Sequence, residues 1–596
     1  MKKRVADIVM DTLADLGVDQ AFCVVGGGSM YLNNALGISK RIKTIYCHHE
    51  QACAMAAEGY AKYKCDRPAL VQVTTGPGGT NTLTGVMGAY LDSIPMIVVS
   101  GQCRYVTSVP YTGLPLRTRG VQEFDIVNTV KTMTKYSKLI LDPLSIKMEI
   151  HKAYDIAMNG RRGPVWLDIP LDVQAVAVEE DDMLPVVSKL PVVSCCKSEV
   201  EKAMAQLRNA RRPCILAGSG IRYSGNHAAF VDFLTRVKVP VVTSASQPDV
   251  LERSHPLHVG AEGLTGQRAG NFVLQNADVV FGLGNSFSLR ETGWNPELFA
   301  PDAEVVSVDV DPFEHKKPDL HVKTFLHCDL RSFFNMTREE HVLASSEWLQ
   351  YASEVKKSFD PFEGRVPDDD NRVNTYNFWH KYASRVSDTA ITCLGNSPSI
   401  SGWLRCGNIK AGQRTLVNVN CGSMGDDMPL AVGACVASKS PVTLAVGDGS
   451  FMMNMQELAT IMHNNLPVRI VLFSNGGYNA LRCTWKRYFN GVNAGCDKAS
   501  GISFPEFCKV ACSFEMPYRK CAANHEIGAS LDWLLGQDGP ALLEVMESID
   551  ERPNMPCVIS RLRPDGTSEP ALLQDMSPPI ERKRYSELMI SKRKEG

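Results

Sequence analysis

VTLAVGDGSFMMNMQELATIMHNNLPVRIVLFSNGGY, Val442 to Tyr478, decides the fold. The apolar run Val442 to Val446 is short and unbroken, as expected of a parallel strand covered on both faces, and Gly447-Asp448-Gly449 ends it in a sharp turn. Met453, Leu458, Ile461 and Met462 then recur at helical spacing, Pro467 closes the connection, and Val468 to Phe473 reads as a second buried strand. Parallel neighbours require such a crossover. The unit therefore delivers Asp448 and Asn475 together to the carboxyl edge of one sheet, where open α/β sheets bind ligands.

Taken singly, Asp-Gly and Asn-Gly are ordinary turn dipeptides. Paired across a crossover they gain chemical content. A carboxylate, a carboxamide oxygen and a freed backbone carbonyl are hard oxygen donors, too few to enclose Mg²⁺ but sufficient once a diphosphate completes the shell. Gly449 and Ser450 offer backbone N–H groups to that diphosphate at the helix start.

The chain around this unit has 596 residues, enough for three or four domains with their own cores. A net charge of −2 excludes a strongly basic nucleic-acid surface and leaves small-molecule chemistry as the expectation. The longest apolar candidate, Leu83 to Val99, is broken by Asp92 and Pro95, so no membrane span is expected. The opening MKKRVADIVMDTLADLG reads as a first helix rather than a targeting segment. The 19 cysteines are scattered, mostly inside apolar runs such as Phe22-Cys23-Val24, without CxxC or zinc spacing. They read as reduced core residues, and a cytoplasmic protein is expected.

In chain order, residues 1 to 180 alternate helix and strand. Strand Gln20 to Val25 leads into Gly26-Gly27-Gly28, and Cys47-His48-His49-Glu50 passes from a strand into the alanine-rich helix AMAAEGYAKY. Strand Ala69 to Thr74 then feeds Gly76-Pro77-Gly78-Gly79-Thr80-Asn81. Neither glycine turn matches GxxxxGK or a clean GxGxxG, which argues against a dinucleotide site here. Glu50 by itself complements a helix dipole, and His48 and His49 read as packing or hydrogen-bonding residues. Glu179 to Asp182 with Pro185 and Pro191 reads as a linker, followed by a second α/β unit over 190 to 345. Lys356 to Val373, with Asp368-Asp369-Asp370, reads as a second linker. The third domain, 374 to 556, holds the opening motif, and residues 557 to 596 read as an extended tail wrapping it. The expected fold is α/β: three doubly wound domains, each a mainly parallel sheet.

GDGS and SNGGY, at this spacing, resemble the thiamine diphosphate signature. HEQACAMAAEGYA followed by TTGPGGTNTLTGVMGAYLDSIPMIVVSGQ resembles the pyrimidine-binding domain of acetolactate synthase and its relatives. The resemblance implies that Asp448, Asn475 and the backbone oxygen of Gly477 hold Mg²⁺, although Ser474 stands where the family usually has a first Asn. It implies that Glu50 contacts the aminopyrimidine ring and that Gly27, Gly28, Pro77, Asn81, Gly449 and Ser450 line the cofactor. Val121-Gln122-Glu123-Phe124 resembles the family's Phe-Gln-Glu segment, so Gln122 carries over as a catalytic-site residue while the aromatic does not. Met424 falls where a bulky apolar side chain supports the bent cofactor, and Asp426-Asp427 replaces a more usual aromatic or apolar pair. Thr484 aligns with a tryptophan that sizes the acceptor pocket, and Trp485 lies one residue beyond.

In the middle unit, HPLHVGAEGLTG, GLGNSFSLRETG and SVDVDPFEHKK resemble the flavin-binding domain of acetolactate synthase. Arg290, Thr292 and Gly293 are kept, but Ser286, Ser288 and Leu289 replace Arg, Asp and Asp. Bound FAD and a nucleotide-free structural domain therefore stand as alternatives.

The activity implied is that of a thiamine diphosphate- and Mg²⁺-dependent carboligase, which decarboxylates a 2-oxo acid, most simply pyruvate, and transfers the two-carbon unit to a second 2-oxo acid. Transfer to a keto-sugar or other carbonyl, and simple decarboxylation, are the enzymatic alternatives. A non-catalytic cofactor-binding subunit is the other class, and it has no chemical need for Glu50. In families of this plan Glu50 and Asp448 come from different subunits, which implies a homodimer at least, with a tetramer as the larger alternative.

Overall fold

Unbroken runs of β-branched and aliphatic residues form three parallel sheets of six strands among the described residues. The computed structural model describes residues 2–590 except 187–189, 245, 368–371, 397, 407, 550–555, 564 and 566. The acidic run Asp368-Asp369-Asp370 of the second linker, and Pro564, Gly566 and 591–596 of the tail, lie outside the described residues.

The first sheet comprises β1 (Gln20–Cys23), β2 (Lys43–Tyr46), β3 (Leu70–Val73), β4 (Met96–Gln102), β5 (Tyr136–Leu139) and β6 (Pro164–Pro170), in the order β2-β1-β3-β4-β6-β5. The middle sheet comprises β7 (Pro213–Ala217), β8 (Val241–Ser244), β9 (His258–Glu262), β10 (Val279–Leu283), β11 (Glu304–Asp309) and β12 (Val322–His327), in the order β9-β8-β7-β10-β11-β12. The third comprises β13 (Ile391–Leu394), β14 (Arg414–Val417), β15 (Val442–Gly447), β16 (Val468–Ser474), β17 (Tyr518–Cys521) and β18 (Ala541–Met546), in the order β14-β13-β15-β16-β18-β17. The outer two sheets thus share one winding, while the middle sheet has the order common to dinucleotide-binding folds. Register pairs Gly447 with Phe473, so β15 and β16 end side by side and release Asp448 and Asn475 at one edge.

The outer domains are joined by two helices, α1 (Glu50–Lys64) and α2 (Asp427–Ser438), which share one core. Their backbones nearly touch. A Cβ on Gly59 would stand 2.2 Å from the Leu430 carbonyl oxygen, and one on Gly433 would stand 1.9 Å from that of Ala56. Beside this contact Lys62 is fully buried, its Nζ 2.6 Å from both Glu58 and Asp92 and 2.7 Å from the Val417 carbonyl oxygen.

Three sequence expectations change. The helix after Asp448 is interrupted: α3 (Asp448–Phe451) and α4 (Glu457–His463) flank an irregular turn, in which the Asn454 side chain donates to the Gly425 carbonyl. Leu458 and Ile461 are buried as expected, but Met453 is exposed. The tail packs on the middle domain, not on the third. Val558, Leu573, Met576, Tyr585 and Leu588 complete the middle core, where Asn271 and Asn276 donate to the Leu573 and Leu588 carbonyls at 2.9 and 3.0 Å. Lys356 to Ser358 belong to a helix, Ser346–Ser358, whose Val355 joins that same core. No helix among the described residues is long and apolar enough to cross a membrane.

Gly433→Ala should destabilise the protein by about 1–3 kcal/mol, because the added methyl must force a gap between closely packed backbones. A fall in the thermal unfolding midpoint checks this, and an unchanged midpoint would mean the helices separate freely.

Candidate active site

Asp448 is buried at the end of β15 inside a cradle of backbone donors. Its Oδ1 accepts from Gly449 N at 2.8 Å, and its Oδ2 from Asn475, Gly476 and Gly477 N at 3.0, 2.7 and 3.2 Å. Burial pushes its carboxyl upward, and those N–H groups pull it back. Gly476 makes the cradle possible with φ +69°, a conformation costly for residues with a Cβ. Asn475 donates its Nδ2 to Glu547 at 2.9 Å, which leaves Oδ1 turned to the loop, where Arg482 donates to it at 3.4 Å and to the Gly476 carbonyl at 2.7 Å. Among the described residues no three His, Cys, Asp or Glu side chains gather to hold a metal. A cation here would instead rely on one carboxylate, an amide oxygen, a carbonyl and oxygens from a ligand. That donor set fits Mg²⁺ bound with a diphosphate.

Met424 and Ser450 belong to the same cluster. The methyl of Met424 lies 3.3 Å from where a Gly449 Cβ would stand. Ser450 Oγ accepts from Gly425 N at 2.7 Å and donates to Asp427.

A second cluster forms on the first sheet. Glu50 opens α1 after His49, whose Nδ1 caps the helix by accepting from Gln51 N at 3.0 Å. Glu50 Oε2 accepts from Asn81 at 2.9 Å. Gly76, at φ +58°, lets Gln122 lie over the Gly76-Pro77 turn: a Cβ on Gly76 would stand 2.2 Å from the Gln122 carbonyl oxygen. Gln122 itself adopts φ +56°. Gly28 N donates to Thr74 Oγ1 at 3.0 Å, which fixes the Gly27-Gly28 turn on this edge. The structure thus groups Glu50, Asn81, Pro77, Gln122, Gly27 and Gly28 on one side, and Asp448, Gly449, Ser450, Asn475, Gly477 and Met424 on the other.

Several residues that sequence reading did not assign bind these clusters together. Glu457 and Asn454 reach from the third domain to the peptide around Glu50. Nothing in their spacing marked them, since they look like ordinary helix residues. Asp426 and Asp427, visible in the sequence only as a departure, are both buried. Burial pushes Asp427 up to about 6 and Asp426 well above the usual carboxylate range. Thr484 sits on α5 (Asn479–Tyr488), a helix with no buried residue.

A cavity of about 220 Å³ opens at the carboxyl edge of the middle sheet, against the first domain, lined among others by Gly220, Gly284, Asp309, Arg161, Arg162 and Arg331. Sites for drug-sized ligands run to about 300–1,000 Å³. Of its arginines, Arg161 donates to Ser93, Asp311 and Glu314, and Arg162 to the Cys65 and Tyr223 carbonyls. Glu291 is consumed by Ser244, Asn285 and the Ser288 N–H. Arg290 does not line the cavity but lies near Gly422, with Nη2 3.8 Å from where its Cβ would stand. At about 220 Å³ the cavity is too small to take a whole FAD.

Two α/β edges presenting a carboxylate-capped helix and an Asp-Asn cradle define a thiamine diphosphate fold, and family comparison agrees. Residues 3–128 match the thiamine pyrophosphate enzyme N-terminal TPP binding domain, 200–335 the central domain and 400–545 the C-terminal TPP binding domain. The acetolactate synthase isozyme 2 large subunit of Escherichia coli K12 is 30% identical over 96% of this chain and 100% of its own length. Acetolactate synthase 1 of Zea mays is 31% identical over 91% of this chain and 85% of its own, and the large subunit from Lactococcus lactis is 29% identical over 92% and 93%. The chain belongs to the thiamine diphosphate-dependent enzymes, on their acetolactate synthase-like branch.

An acid that titrates at about 6 when folded, against an ordinary 3.8, makes the fold lose stability as pH rises between those values. Asp427→Asn should remove that loss and raise the thermal midpoint of the cofactor-free protein at pH 7 relative to wild type, by at most about 3 kcal/mol in stability. Equal pH profiles for the two proteins between pH 4.5 and 7 would contradict it.

Proposed function

We propose that the protein is a carboligase that decarboxylates one 2-oxo acid, pyruvate, and joins the two-carbon unit to a second 2-oxo acid. The observation that carries the reading is Glu50, held by Asn81 above the Gly76-Pro77 turn: a binding-only protein has no use for an acid at that atom. When bound, thiamine diphosphate supplies the nucleophilic carbon and the electron sink for decarboxylation. Glu50 would hold a proton at the pyrimidine ring nitrogen of the bound cofactor, the place where an acid tunes the ring's basicity. Asp448, Asn475 Oδ1 and the Gly477 carbonyl would hold Mg²⁺ against the diphosphate, with Gly449 and Ser450 N–H groups beside it. Met424, beside Gly449, would support the bound cofactor, and Gln122 would line the reacting side.

The working unit on this reading is a cytoplasmic homodimer or homotetramer, each site drawing Glu50 and Asp448 from different chains. Of the two middle-domain alternatives we take the flavin-free one, because the cavity of about 220 Å³ at the edge of the middle sheet is too small for FAD. One observation favours a second reading of the acceptor. Thr484, in place of a large aromatic, stands on a helix that buries nothing, which leaves room for a bulkier carbonyl acceptor such as a keto-sugar.

Labelled pyruvate with thiamine diphosphate and Mg²⁺ should yield acetolactate; acetaldehyde alone would overturn the carboligase. Glu50→Gln should retain cofactor yet lose about 10²–10⁴-fold in turnover and in exchange of the cofactor C2 proton. Values within a few-fold of wild type in the loaded variant would end the assignment. The purified protein should lack flavin absorbance while fully active, and a yellow protein whose activity tracks the colour would reverse the flavin-free choice.

A further inference from the structure

The backbone just before Glu50 and the side chain just after it are held by another domain. His48 and His49 precede α1, where N–H groups have no partner within the helix. Both donate across the domain boundary to Glu457 Oε1, at 3.0 and 3.1 Å, and His48 N also lies 3.3 Å from Oε2. Glu457 is 1% exposed, and Thr460 Oγ1 donates to its Oε2. On the following side, Asn454 donates to Gln51 Oε1 at 3.2 Å and to the Gly425 carbonyl at 2.7 Å. Glu50's own carboxylate, by contrast, has a single side-chain donor among the described residues, Asn81. Asn454 and Glu457 also lie on the segment that begins with Asp448, so one short stretch of chain holds the cradle at one end and the Glu50 peptide at the other.

We infer that Glu457 is a positioning residue for Glu50: it fixes the peptide from which the acid projects and ties that peptide to the Asp448 segment. Without it, two N–H groups at the start of α1 would lose their acceptor, and the local backbone would turn toward other partners or water. A shift of about 1 Å at a reacting group can cost about 100-fold in rate. The role is geometric rather than electrostatic. Oε1 alone accepts both N–H groups, so a glutamine carbonyl can replace it, and the Thr460 hydroxyl can turn to accept from the new amide.

The inference rests on the reading of Glu50 as the acid facing the pyrimidine, and the experiment separates the two. Full-length wild type, Glu457→Ala, Glu457→Gln and Glu50→Gln are loaded with thiamine diphosphate and Mg²⁺. C2 hydrogen–deuterium exchange of bound cofactor is followed by quenched-flow NMR, and amide exchange of residues 46 to 64 by mass spectrometry. Glu457→Ala should lose protection at His48 and His49 while the rest of α1 stays protected. Its C2 exchange and kcat should fall about 100-fold, with cofactor Kd and pyruvate KM within a few-fold. Glu457→Gln should stay within a few-fold of wild type throughout. Normal C2 exchange in Glu457→Ala overturns the inference, as does a Glu457→Gln variant as slow as the alanine one. If the alanine variant does not fold, Glu457→Asp decides: it keeps the charge but retracts the carboxylate by one methylene, and wild-type exchange in it overturns the inference. Normal exchange in Glu50→Gln removes the Glu50 reading and this inference with it. Loss there with normal exchange in Glu457→Ala removes only the positioning role.

Discussion

The contact on which the rest of the structure depends is that between α1 and α2, where two backbones meet at Gly59 and Gly433 with no side chain between them. Helices usually pack 8–10 Å apart with interdigitated side chains; a closer approach needs residues without a Cβ. This contact fixes the first domain against the third. Because α1 begins at Glu50 and α2 follows directly on Met424 to Asp426, it also holds the Glu50 edge and the Met424 loop of one chain in a fixed relation.

Charge reinforces that junction. Lys62 is buried with Glu58 and Asp92, and Asn418 donates to both oxygens of Glu58 at 3.1 Å. Burial alone would drive the lysine neutral, but the two carboxylates hold its ammonium charged. Asp426 and Asp427 add two more buried carboxyls nearby, both with burial favouring the protonated form. Removing one member of such a cluster leaves an uncompensated buried group, so the domains are held in one arrangement rather than merely attracted.

The middle domain shows how one winding can serve different ends. Its sheet order suits a nucleotide, yet the cavity at its edge is small: Arg161 of the first domain is spent there on acids, Glu291 is spent on neighbouring hydroxyl and amide groups, and Arg290 lies near Gly422 of the third domain. The sequence showed the lost Arg-Asp-Asp positions but not what replaced them. Likewise its apolar spacing could not tell that the tail would finish the middle core, since a hydrophobic stripe does not name the surface that will cover it.

Local sequence by itself determined the three α/β units, the strand ends and the residue types at each edge. Strand and crossover follow from apolar run length and periodicity, and GDGS and SNGG follow from the turns those runs require. That is why Asp448 and Asn475 were legible, whereas Glu50 stood out only through the family resemblance of the segment around it. Only the tertiary structure decided which residues hold them: Glu457 and Asn454 under the Glu50 peptide, Arg482 and Glu547 on Asn475, Asp427 on Ser450. These partners lie in other elements or other domains, and hydrogen bonds between distant segments depend on distance and direction, which leave no periodic trace in the order of residues along a chain.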